Sequence, residues 1–246
     1  MTVNITDSVT WINESIAHSD FNEHVSVYLI EAETGYIVVD SGSVHHRRSI
    51  SEQLQDATDD KGVDAIILSH SDYPHSGNIS EFRDRWGDVE LIASSGSPEI
   101  QGLQNATKCT IGGSMDVLGR EFSFIDPPLA DRSHTTWIYD HASRVLFTAD
   151  GFGNYHQPEE EDYTSADFDN VTPFEEIYQY HRDNLVWLRY VDPGKLRDAL
   201  DATLNQFEVS SVAPIHGNPI RGSDLDTYLD RLIRAADKIT NEYVVA

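Results

Sequence analysis

The residues that could do chemistry fall in four short clusters. They are His70, Asp72 and His75 within His70-Ser71-Asp72-Tyr73-Pro74-His75, then Asp131 and His134, then Asp150, and finally His216. Imidazole and carboxylate groups are the ligand types that suit zinc, iron or manganese. The single cysteine, Cys109, can form neither an internal disulfide nor a thiolate metal site alone, and its default reading is a small residue packed at the start of a strand. Any metal must therefore be held by His, Asp and Glu. Each cluster alone is a weak signal, because a histidine in an acidic protein is by default a surface residue. Their order and placement together are strong, and the remaining alternative is a satisfied polar network without metal.

That placement follows from the elements around them. Ala65-Ile66-Ile67-Leu68 is a short apolar run of the kind expected for a buried strand, and it leads directly into His70. Asp150 follows a strand expected over Val145–Thr148, and His216 one over Val209–Ala213. Asp131 and His134 lie in the loop after Glu121–Ile125. Further strands are expected at Ser8–Ile12, Val25–Glu31, Tyr36–Asp40, Val89–Ala93 and Trp137–Tyr139, with a hairpin turn at Thr34-Gly35. Helices are expected at Ser51–Ala57, Asn78–Trp86, Phe174–Tyr190, Pro193–Gln206 and Asp224–Glu242. The acidic segment Gln157–Asp169 lacks periodicity and reads as a loop or a partly disordered insertion. No Gly-, Ser- or Pro-rich linker divides the chain, so residues 1–246 read as one domain of two strand-rich halves with helices outside. In such layered α/β architectures, side chains from several strand ends converge in one crevice.

The motifs resemble those of the metallo-β-lactamase superfamily, and more closely the diiron domain of flavodiiron proteins. The family motif H-x-E/H-x-D-H-x-G is matched by His70 to Gly77, with Pro74 in the place of the aspartate. Its N-D-A-F-G-x-H resembles Ala149-Asp150-Gly151-Phe152-Gly153-Asn154-Tyr155-His156, and its closing S-H-G resembles Ile215-His216-Gly217. Val27 to Ile30 and Val39 to Gly42 match the early strands, so the resemblance covers nearly the whole chain. It implies a four-layer αββα sandwich. It also implies that His70 and Asp72 ligate one metal, His75 and His216 a second, and that Asp150 bridges them.

Two departures bear on that ligand set. Pro74 cannot replace the aspartate ligand of the second metal, and the family's histidine in the Pro128–Thr135 loop falls on Asp131. Spacing favours Asp131 as the ligand, although His134, three residues later, could swing in instead. The count of three carboxylates (Asp72, Asp131, Asp150) is kept, which with two divalent metals and a bridging hydroxide remains neutral. One carboxylate has then moved from the second site to the first. This leaves a second site of two histidines and one carboxylate, a set used by non-haem iron. A single-metal protein is a further possibility. Among neighbouring residues, Asp40 is expected to brace the ligand loop, His156 to lie in a surface loop, and His45 and His46 to be exposed on a helix. Tyr73 either points into the pocket or packs on the following helix. Trp137, Phe152 and Trp187 either wall the pocket or pack in the core.

Three functions compete. The resemblance implies redox or oxygen chemistry at two divalent metals, with iron favoured and zinc or manganese the alternatives. The segment after His216 is too short for a flavodoxin-like domain, so no flavin-binding domain is expected. The small-molecule ligand would then be oxygen or nitric oxide, served by an external electron donor or bound without turnover. A zinc hydrolase acting on an ester, thioester or lactone is the second reading, weakened by the loss of an aspartate at Pro74. A degenerate, non-catalytic module is the third. A homodimer is expected from the family's habit.

The bulk numbers narrow the partners. With 42 acidic and 17 basic residues the 246-residue chain carries a formal charge of −25, which disfavours nucleic acid. No apolar run approaches the roughly 20 residues that span a bilayer. Met1 to Asp7 holds neither a basic region nor an apolar stretch, so no secretory signal is expected and the cytoplasm is the expected compartment. The lysines are only Lys61, Lys108, Lys195 and Lys238, a composition resembling that of proteins from salt-loving organisms. Salt at 1 M shortens the Debye length to about 3 Å and suppresses the self-repulsion of such a surface. The melting temperature is accordingly expected to fall between 2 M and 0.1 M salt, and an unchanged value would refute a halophilic adaptation.

Overall fold

A computed structural model describes residues 2–94 and 105–243. In chain order the first strands are β1 (Thr2–Thr6), β2 (Val9–Ile12), β3 (Ser15–Ala17), β4 (Asn22–His24), β5 (Val27–Glu31), β6 (Tyr36–Val39), β7 (Ala65–Leu68) and β8 (Glu90–Ser94). They continue as β9 (Thr107–Cys109), β10 (Ser114–Val117), β11 (Arg120–Ile125), β12 (Trp137–Asp140), β13 (Val145–Phe147), β14 (Tyr155–His156), β15 (Ser211–Ala213) and β16 (Ile220–Arg221). The helices are α1 (Arg47–Ala57), α2 (Tyr73–Ser76), α3 (Ile79–Trp86), α4 (Phe174–Asn184), α5 (Pro193–Leu204) and α6 (Leu225–Glu242).

One sheet has the order β1-β2-β5-β6-β7-β8-β9 and another β10-β11-β12-β13-β15-β16, while β14-β4-β3 form a small third sheet. The period-two alternation of each strand sorts its residues between two layers. Ile67 faces the second sheet with Trp11, Phe122 and Phe147, in a core sealed between the two large sheets. Its neighbours Ile66 and Leu68 face outward onto Leu54 of α1 and Phe82 of α3. Leu146 and Val212 of the second sheet face Ile177, Leu200 and Leu232 of α4, α5 and α6. The layers therefore run helix, sheet, sheet, helix. Strands buried on both faces read as unbroken apolar runs, which is why Ala65–Leu68 stood out in the sequence.

Local rules explain several boundaries. Asp192 accepts hydrogen bonds from the amides of Gly194 and Lys195 and Pro193 opens α5, a cap followed by proline at the first turn. The helix expected over Phe174–Tyr190 breaks at Leu185, whose φ of −106° and ψ of 66° are not helical, and resumes as a 3-10 helix at Val186–Tyr190. Leu185 and Leu188 are both fully buried across the break, so the apolar spacing continues through it and hides it from a periodicity argument. Cys109 is buried at the end of β9 rather than at the start of a strand. The acidic segment after Gln157 is pinned: Asn218 donates to the carbonyls of Glu160 and Tyr163, and the Ser165 amide donates to the Pro219 carbonyl.

That segment places Glu160 against Glu176 of α4. Burial, and then the charge of Glu160, push the Glu176 carboxyl up to about 8. A carboxyl whose value in the folded protein lies above its unfolded value of about 4.3 holds its proton more tightly when folded. It therefore costs stability progressively as pH rises from about 4.3 to 8. Glu176→Gln should raise the melting temperature by about 2–4 °C at pH 9 and leave it unchanged at pH 4, measured against the unsubstituted protein in the same salt.

Candidate metal centre

The candidate residues are gathered by strand ends. β6, β7 and β8 run parallel, as do β13 and β15, so the carboxyl ends of β7, β13 and β15 open at one edge. After Leu68 the chain leaves the sheet and is caught by Asp40, at the end of β6. Asp40 Oδ1 accepts from the Ser69 amide at 2.8 Å, and its Oδ2 from the Ser69 hydroxyl at 2.7 Å. The short helix α2 then turns His75 back, and the same Oδ2 accepts from His75 Nδ1 at 2.7 Å. Asp150 is presented by a sharp turn in which Ala149 adopts a φ of 51° and the Gly151 amide donates to the Thr148 carbonyl. Positive φ at a residue with a side chain is a strained conformation of the kind that clusters at functional sites. Gly153 is required just beyond, because a Cβ there would lie 2.2 Å from the Tyr180 ring. Tyr180 in turn donates its hydroxyl to the Asp150 carbonyl at 3.1 Å.

Six of the seven candidate side chains converge on a cavity of about 170 Å³. His75 Nε2 lies 3.0 Å from Asp150 Oδ1 and 3.3 Å from His216 Nε2, and His216 Nε2 lies 3.8 Å from the same oxygen. His70 Nε2 lies 3.9 Å from Asp150 Oδ1 and 3.8 Å from Asp131 Oδ2. Asp72 groups with His70 and Asp131. His134 is the exception: its Nε2 meets the Ser71 hydroxyl at 3.0 Å, and burial lowers its pKa. Asp40 braces the ligand loop as its position implied.

The electrostatics are those of groups forced together out of water. Burial, and then the neighbouring His75, lower His70 to about 3. Burial acts on His75 in the same sense, but the charges of Asp40 and Asp150 outweigh it and raise the imidazole to about 10. Burial opposes the ionised form of Asp150, yet His70, His75 and His216 hold it well below the usual carboxylate range. Burial, and then the charge of Asp150, raise Asp131 to about 6.

Hydrogen bonding on the far side of each ring tests whether a cation fits. His216 Nδ1 faces the His24 carbonyl at 2.7 Å, and a carbonyl only accepts, so Nδ1 carries the hydrogen. His75 Nδ1 faces the Asp40 carboxylate in the same way. In their neutral forms both rings therefore turn lone pairs toward each other and toward Asp150 Oδ1. Such an arrangement calls for a cation or a shared proton between them. His70 Nε2 and Asp150 Oδ1 are buried and lack aligned hydrogen-bond partners. Orphaned acceptors around one cavity, with their other ring nitrogens anchored, are the outer-shell pattern of metal-binding histidines.

Several neighbours depart from expectation. His156 is buried rather than in a surface loop, because Tyr155-His156 pairs with β4 and stacks its ring on His24 at 3.8 Å. Tyr73 takes neither expected position, being 76% exposed. Trp137 and Phe152 are fully buried in core contacts, and Trp187 donates to the Ala130 carbonyl. His45 is exposed and His46 half-buried, on a 3-10 turn. Glu23, Arg132, Tyr180 and Asn184 line the cavity and were not singled out in the sequence. Only Arg132 had a visible signal, its place beside Asp131.

Residues 21–237 match the sequence model of the metallo-beta-lactamase superfamily, and the chain belongs to it. Among curated relatives the match covers only part of the relative's length. Diflavin flavoprotein A 1 of Synechocystis is 25% identical over 79% of this chain and 33% of its own length. An anaerobic nitric oxide reductase flavorubredoxin of Aeromonas salmonicida is 21% identical over 88% of this chain and 44% of its own. This chain thus spans less than half the length of both. A mutant flavo di-iron protein from Thermotoga maritima superposes with a TM-score of 0.81 at 19% identity, over 96% of this chain and 61% of that one.

Because Asp40 fixes both the ring and the tautomer of His75, Asp40→Asn should weaken metal binding about 10–100-fold. Competition with a chromophoric chelator, on protein whose circular dichroism matches the parent, checks this.

Proposed function

We propose that this chain is a non-haem diiron protein that reduces or binds oxygen or nitric oxide. The observation that carries the reading is the convergence of His70, His75 and His216 with Asp72, Asp131 and Asp150, a donor set of nitrogen and oxygen with no thiolate. His70, Asp72 and Asp131 would hold one iron, His75 and His216 the other, and Asp150 would bridge them. Imidazole with carboxylate and vacant positions suits iron that must take up a diatomic ligand. The relatives support the chemistry through their names, which include an anaerobic nitric oxide reductase and a flavo di-iron protein. When bound, the metals would supply the electrons and the open coordination. The protein's own residues would hold the ligands, set the charge and limit access.

The supporting roles are assigned on the same reading. Asp40 and the His24 carbonyl orient His75 and His216. Tyr180 closes one wall and fixes the turn that presents Asp150. An external electron donor would reduce the centre, and a homodimer is the proposed assembly. On this reading residues 1–246 would form one domain acting in the cytoplasm. Among the described residues no helix is long and apolar enough to cross a membrane.

Metal analysis of protein purified at high salt without chelators is the test. About two irons per chain, with a visible absorption band that changes on exposure to oxygen or nitric oxide, is the expected result. Zinc in place of iron, with hydrolysis of generic ester or thioester substrates, would overturn it in favour of a hydrolase. An absence of metal would leave a non-catalytic module.

A further inference from the structure

The two halves of the centre differ in what already neutralises them. On the side of His75 and His216, both distal ring nitrogens are anchored, by Asp40 and by the His24 carbonyl, each at 2.7 Å. Both Nε2 atoms and Asp150 Oδ1 are left aimed at one point, and among the described residues no lysine or arginine lies within ion-pair distance of them. That half is organised before a metal arrives.

On the side of His70, Asp72 and Asp131, a guanidinium is already in place. Arg132 Nη2 and Nε lie 2.9 and 3.0 Å from Asp72 Oδ2. Arg132 Nε also lies 3.6 Å from Asp131 Oδ2. This Asp131 oxygen is the one nearest His70 Nε2, at 3.8 Å. A cation seated beside His70 would therefore compete with Arg132 for the same carboxylate atom and sit close to its positive charge. The other Asp131 oxygen is occupied too, accepting from the Thr135 hydroxyl at 3.1 Å. Arg132 itself is 52% exposed. Apart from these two carboxylates its hydrogen-bonding contact is the Asp131 carbonyl at 3.5 Å, so its placement serves the pair of acids rather than distant packing. Among the described residues that line the cavity it is the only arginine or lysine.

We propose that Arg132 is a built-in counterion that splits the affinities of the two metal positions. The position of His75, His216 and Asp150 fills first. The position of His70, Asp72 and Asp131 fills second and more weakly, because a divalent cation must displace or repel a guanidinium there. The chain thus has a defined singly loaded state, and the supply of metal decides when the centre becomes dinuclear. This inference rests on the dinuclear reading given above.

Zinc(II) titration of the full chain against a chromophoric chelator, at constant salt, tests it. The unsubstituted protein is expected to take up two zinc ions in two steps separated by at least about tenfold in affinity. Arg132→Gln should tighten the weaker step about tenfold and leave the stronger within about twofold, while Arg132→Lys, which keeps the charge, should retain most of the separation. Asp131→Asn should abolish the weaker step alone, which identifies the position without relying on the arginine variants. Uptake of two ions in one step would overturn the inference and leave the dinuclear centre standing. A weaker or unchanged second step in Arg132→Gln would do the same, the weaker case making Arg132 a brace for Asp72. Failure to bind any zinc would overturn both the centre and the inference.

Discussion

The carboxylate of Asp40 holds the site together, and it does so from a position where a charge is costly. It is fully buried at the end of β6, in a backbone conformation with φ of 60° that a side chain disfavours. Its two oxygens accept from the Ser69 amide, the Ser69 hydroxyl and His75 Nδ1. Charge-assisted bonds of this kind offset the desolvation of a buried anion. They also close the chain between β6 and the turn after β7, so that His70 and His75 share one cavity although four residues separate them. Without that clasp the residues after Leu68 would form an ordinary loop, and the cavity would lack two of its three imidazoles.

The layered fold supplies what the clasp cannot. Two sheets packed face to face bring strand ends from both halves of the chain to one edge, so Asp150 and His216 meet His70 and His75 across the sandwich. Besides the intersheet core, individual hydrogen bonds connect the halves near the cavity. The Thr136 amide donates to the Ser69 carbonyl, and the Ser26 amide to the Ile215 carbonyl. The Tyr28 hydroxyl, in the intersheet core, donates to the Pro214 carbonyl. Each ties a ligand-bearing turn to the opposite sheet.

Much of this was legible in the sequence, for identifiable reasons. The apolar run Ala65–Leu68 and the polar residues that follow it signalled a buried strand ending in a site. The layered α/β class and its family followed from the motifs around His70, Asp150 and His216. Of the two candidates in the Pro128–Thr135 loop, Asp131 lies 3.8 Å from His70 Nε2, while His134 meets the Ser71 hydroxyl with its ring 6.1 Å from that of His70. The short strands β3, β4 and β14 were invisible, because two- and three-residue strands carry too little alternation to register. With them went the buried stack of His24 and His156, and the role of the His24 carbonyl. The break at Leu185 was hidden because burial continues through it. The partnership of Arg132 with Asp72 joins residues 60 positions apart, and neither helix nor strand periodicity reports such a pairing.

The two histidines that face each other across the cavity owe their orientation to different kinds of partner. His75 is aimed by a side chain, Asp40, so its tautomer is written in the identity of one residue. His216 is aimed by a main-chain carbonyl, that of His24, and every residue type at position 24 would carry the same carbonyl. Its orientation is written in the path of β4 and the pairing of the small sheet. Drift in sequence therefore reaches the two rings by separate routes. A single codon change at position 40 can turn one of them. The other stays aimed through any substitution at position 24 that leaves the strand in register.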